Sequence, residues 1–150
     1  MWFFLCARIV VRAVVLVMNI CGIPLCLGSS AMADTIAKTE EAMRGSSAFQ
    51  EAVQVFLGVW RDAGDSNMKK AQAIFNLLWA TNAAGFLWMI IKCLCSSMGK
   101  WAWMKTAALV SAMIIASFGS GGVALIAKIA VAVTAATELA ADINEAIQLL

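Results

Sequence analysis

The sequence predicts an all-α integral membrane protein: a helical hairpin of two spans, preceded by a signal segment and an amphipathic helix. Three observations carry that expectation. Of 150 residues, 63% are hydrophobic and 13% are charged, against roughly 45–50% and about 25% in an ordinary soluble domain. Two long uncharged runs, Ala71–Ile91 and Thr106–Ala127, are fenced by lysines. Between and around them the apolar residues recur at three and four positions, the helical period, and not at the alternation of a strand.

Residues 1–33 read as an export signal. Arg8 and Arg12 precede the uncharged run Ala13 to Leu27, and "GSSAMA" follows. Ala31 and Ala33 give the small-x-small pattern of a cleavage site ahead of Asp34. Retention as an uncleaved anchor is the alternative, with the span lengthened through Cys6 to Val11. A lipoprotein signal is disfavoured, because Ile20 and Leu25 stand before Cys21 and Cys26, where a small residue is wanted.

Residues 34–66 are polar enough to lie outside the bilayer core, as an extracytoplasmic helical segment. Ser47 and Gln50 have capping-box spacing, and Phe49, Ala52, Val53, Phe56, Leu57 and Trp60 then form one apolar face. That face packs on the rest of its chain, on a neighbouring subunit, or in the membrane interface with Trp60 at headgroup level. "RDAGDSN", Arg61 to Asn67, supplies the turn chemistry and the next helix start.

Residues 67–150 form the membrane hairpin and an amphipathic C-terminal helix. At about 1.5 Å per residue, each apolar run covers a hydrocarbon core of roughly 30 Å. "FGSGG", Phe118 to Gly122, is a kink or break in the second run, the alternative being a shorter re-entrant helix over Lys105 to Ser117. After Thr137 the chain gains Glu138, Asp142, Asn144, Glu145 and Gln148 on one side, which reads as a solvated face.

The loop "KCLCSSMGKWAWMK" carries Lys92, Lys100 and Lys105 with Trp101 and Trp103 and no acid. With the signal cleaved, positive-inside bias places it in the cytoplasm and both ends outside, with the indoles at the interface. Anionic phospholipid headgroups are the ligand such a patch would take. Cys93 and Cys95 are separated by one residue, which is not the spacing of a zinc or redox pair. They read as free thiols or acylation sites.

Several function classes are disfavoured by composition. Histidine and tyrosine are absent, which removes the commonest general base and the His-dependent triads and metal sites. Glu138, Asp142 and Glu145 offer no convincing acid/base pair. No catalytic residue, metal ligand or cofactor is expected. Net charge is +2 with no basic block, so direct nucleic-acid binding is not expected either.

Helix association is expected through small residues. Ala108, Ala112, Ala116 and Ser120 repeat every four residues, and lipid offers little hydrophobic gain on pairing, so close backbone approach must drive contact. Asn76 and Asn82 lie in the first run, where each amide needs a partner across a helix contact. More small-residue faces exist than two spans can use among themselves, which points to a homo-oligomer.

This layout resembles the small pilin subunits of conjugative and type IV secretion systems. "GSSAMAD", Ala71–Ile91, "KCLCSSMGKWAWMK" and Thr106–Thr137 stand where that family has its signal end, first span, basic loop and second span. The likeness is of architecture over about two thirds of the chain. It departs in the extra segment Asp34 to Arg61 and in Cys93 and Cys95. The resemblance implies a structural, self-associating subunit in the bacterial inner membrane, extracted into an extracellular filament together with other secretion or envelope proteins. The alternative is a holin-like or pore-forming, membrane-permeabilising protein.

Overall fold

The computed structural model describes residues 1–22, 29–96 and 98–150, the side chain of Lys100 excepted. Cys26, the end of the apolar signal run and Ser97 lie outside the described residues. Among the described residues the protein is all-helical, without strands. The elements are α1 (Trp2–Ile20), α2 (Ser29–Arg44), α3 (Ser47–Ala63), α4 (Asn67–Ala83), α5 (Leu87–Cys95), α6 (Lys100–Gly119), α7 (Val123–Ala132), a 3-10 turn (Val133–Ala135) and α8 (Thr137–Gln148). Two helices, Trp2–Ile20 and Trp101–Gly119, are long and apolar enough to cross a membrane.

The more hydrophobic of the two helices of membrane-spanning length is at the centre. α1 has a mean hydropathy of 2.2, and 56% of that window is buried inside the protein. Leu5, Ile9, Val10, Val11, Val14, Val17 and Met18 are all buried in one continuous core with residues of the surrounding helices. Taking about 1.5–3 kcal/mol per fully buried side chain, these seven contribute on the order of 10 kcal/mol at the low end. That is comparable with the whole net stability of a typical domain. α1 packs on α2 and α8, and also meets α4, α5 and α7.

Helix ends follow local chemistry. The Oγ of Ser46 accepts from the Phe49 N–H at 3.2 Å and opens α3; the cap is therefore one residue before the expected Ser47. Gln50 reaches backwards as the spacing suggested, but its Nε2 donates to the Met43 carbonyl at 2.8 Å. Ser66 caps α4 in the same manner, accepting from the Lys69 N–H at 3.3 Å. In α3 the residues Phe49, Val53, Phe56, Leu57 and Trp60 are buried against the chain's own core, and Phe49 stacks on Phe86 with ring centroids 5.1 Å apart.

The two apolar runs are not straight rods. Ala71–Ile91 is divided between α4 and α5, which meet at 98°. The turn is closed by the Phe86 N–H donating to the Thr81 carbonyl at 3.0 Å, around Gly85 at φ +87°. This is the six-to-one closure that ends helices at a left-handed residue. The second run stops at Gly119 and restarts at Val123, so "FGSGG" is a true break, closed by the Gly122 N–H on the Ser117 carbonyl at 2.9 Å. At that break the ring of Phe75 sits edge-on to Phe118, 5.4 Å between centroids and 72° between planes.

Candidate membrane-contact and assembly surface

α6 is the second apolar helix, and its setting is the opposite of that of α1. Only 22% of its apolar window is buried. Ala107, Val110, Ile114 and Phe118 make its inner side, and it packs mainly on α5. Ala108, Leu109, Ala112, Met113, Ile115, Ala116 and Gly119 are all exposed. No charged side chain interrupts that outer surface from Thr106 to Gly119. At about 1.5 Å per residue α6 is close to 30 Å long, the thickness of a hydrocarbon core.

The small residues expected to mediate helix packing lie together on this outer surface. Ala108, Ala112, Ala116 and Ser120 are exposed, so no other helix among the described residues covers that row. Leu109 and Ile115 flank them at 55% and 50% exposure, giving a ridge of large side chains beside a row of small ones. Asn76 and Asn82 are also exposed, and among the described residues neither side-chain amide finds a partner across a helix contact. The buried polar group of α4 is instead Thr81, whose hydroxyl donates back to the Leu77 carbonyl at 2.7 Å.

At one end of α6 stands the aromatic and basic cluster. Trp101 is 79% exposed, Trp103 half-buried, and Lys105 exposed beside them. Lys92 projects from the last turn of α5 and places its Nζ 5.9 Å from the Trp103 ring centroid. The connection is shorter than the sequence suggests: α5 runs to Cys95 and α6 begins at Lys100. Cys93 and Cys95 are free thiols, and burial pushes the Cys95 thiol above its ordinary range. Among the described residues no group of His, Cys, Asp and Glu is placed to hold a metal ion.

Ala31 and Ala33 lie in the first turns of α2, which runs unbroken through the Ala33–Asp34 bond. Ala31 is half-buried, and its carbonyl accepts from the Thr35 hydroxyl at 2.7 Å across that bond.

One cluster was missed by sequence reasoning. Arg8 makes a two-pronged pair with Asp142, its Nη2 2.9 Å and its Nε 3.1 Å from the carboxylate oxygens. Arg12 donates through Nη1 to Glu138, and its Nε lies 3.0 Å from Asp142 Oδ2. That Nε does not aim its hydrogen at the oxygen, so the second contact is electrostatic. Asp142 is buried between two guanidiniums and is not part of a solvated face. Both pairs sit at i, i+4 on their helices, but nothing in the sequence ties α1 to α8 across the length of the chain.

No protein-family profile, curated protein or solved structure matches this chain.

Proposed function

We propose that the chain is a structural, self-associating membrane subunit of an envelope assembly, such as the pilin-like subunits of type IV secretion and conjugation systems. The observation that carries this reading is α6: an apolar helix of membrane-spanning length that the fold leaves uncovered along its outer side. Its row of Ala108, Ala112, Ala116 and Ser120 gives two copies room for close backbone approach in lipid. Trp101, Trp103, Lys92 and Lys105 at its start suit the headgroup layer, where indoles are half wet and lysines meet anionic phospholipid. On this reading the protein has no catalytic role, resides in the bacterial inner membrane and passes from there into a filament with other envelope proteins.

Cross-linking of the full chain in native membranes tests it. We expect a ladder of homo-oligomers that Ala112→Leu weakens while membrane insertion is unchanged, because leucine suits lipid but holds helices apart. If Ala112→Leu cross-links like the wild type, the outer face of α6 meets only lipid and the self-association reading fails there. Release of a trapped dye from vesicles by the chain alone would favour a permeabilising protein instead.

A further inference from the structure

We infer that Trp2–Ile20 is a permanent core helix of the working protein and is not removed at Ala33–Asp34. Three independent observations converge on this. First, α1 is the helix around which the others pack: Ala7, Ile9, Val11, Ala13, Val14, Val17 and Met18 are wholly buried. Removing it would open an apolar trough through the middle of the remaining helices, a loss on the scale of a domain's whole net stability. Second, the only charges of α1 are matched by partners at the far end of the chain. Arg8 and Arg12, one helical turn apart, meet Asp142 and Glu138, also one turn apart. Without α1, Asp142 on the inner face of α8 would lose both guanidiniums that face it. A buried charge must be paired, in a protein core as in lipid, so Asp142 ties α8 to the two arginines of α1. Third, the bond that a signal peptidase would cut lies inside α2, bridged by the Thr35 to Ala31 hydrogen bond, and a protease must unwind such a bond to bring it into an extended site.

The inference stands apart from the reading of α6: a chain that keeps α1 can still associate through Ala112, and one that loses it can too. It does depart from the processing that the pilin resemblance implies.

Two measurements on the full chain decide it. The first is intact-mass and N-terminal peptide analysis of protein extracted from the membrane, expected to find Trp2–Ile20 in the mature chain; a chain beginning at Asp34 overturns the inference. The second separates a core helix from a retained anchor in lipid. In a double-mutant cycle of Arg8→Gln and Asp142→Asn, the melting-temperature shifts of the two single variants should sum to more than the shift of the double variant, which falls no further than the worse single. Additive shifts would mean that Arg8 and Asp142 do not touch, and that α1 lies outside the bundle. Ala112→Leu cross-linking, run in parallel, reports on the α6 reading separately.

Discussion

Replacing Gly122 by alanine probes the break between α6 and α7 more sharply than any other single change. Gly122 is buried at φ +73°, and a Cβ built on it would overlap the ring of Phe75. That ring has little room to yield: Phe75 is 6% exposed and pressed edge-on against Phe118, which Trp79 also meets at 4.9 Å between centroids. Two penalties add. The left-handed backbone costs a residue with a Cβ about 1–2 kcal/mol, and overpacking a fitted core costs typically about 1–3 kcal/mol. The stiffer unfolded chain returns about 0.4–1 kcal/mol. A net loss of about 2–4 kcal/mol follows, or roughly 5–15 °C in melting temperature for a chain of this size. Gly121 is the internal control: its φ is +75°, but a Cβ there meets nothing within 4 Å, so Gly121→Ala carries the backbone penalty alone. Thermal melting followed by far-ultraviolet circular dichroism should rank Gly122→Ala well below Gly121→Ala, and Phe75→Leu should restore part of the difference in the Gly122→Ala background. Equal melting of the two glycine variants would refute the reasoning, since it would mean that the Phe75 ring is not where the overlap requires it.

Other expectations concern the ion cluster, a helix cap and the thiols. Asp142→Ala should destabilise by about 2 kcal/mol, between the about 3–5 of breaking a buried pair and the 0–1 of an exposed one, since Asp142 is 12% exposed and its arginines 28% and 26%. Glu138→Ala, at 79% exposure, should cost under about 1 kcal/mol; urea midpoints compare the two, and equal effects would contradict the geometry. Ser46→Ala should cost about 1 kcal/mol through the loss of the α3 cap, read by the same titration. Burial pushes the Cys95 thiol up, so at neutral pH its thiolate fraction is lowered, and alkylation should lag behind that of the half-buried Cys93 until the pH rises well past the ordinary thiol range; peptide mapping after a timed pulse separates them.

The helical class and most helix ends were legible in the sequence because they depend on local chemistry. Apolar periodicity marks the inner face of α3, serine marks the starts of α3 and α4, and "FGSGG" marks the end of α6, whereas the end of α4 beside Gly85 lies inside the run expected as one span. Hydropathy likewise marks α6 as an apolar helix of membrane-spanning length, whereas the run expected as the first span, Ala71–Ile91, is bent by 98°, and the other such helix among the described residues is α1, read from the sequence as a signal segment. What hydropathy cannot rank is where such helices go, because it counts the apolar side chains of a helix and not the surfaces available to cover them. The tertiary structure made that choice: α1, with two arginines matched by Asp142 and Glu138, is enclosed, and α6, with Ala108, Ala112 and Ala116 on its outer side, is left outside. The same distinction explains the missed cluster. A pairing at a separation of 134 residues leaves no periodic trace, and Asp142 in isolation has the appearance of any solvated carboxylate. The small-residue row on α6 was readable as a packing face, but whether it faces its own chain or the outside was decided only when Ala107, Val110, Ile114 and Phe118 took the inner side. A helix has one inward stripe, and which residues occupy it depends on how the helix is rotated against its neighbours, which its own periodicity does not fix.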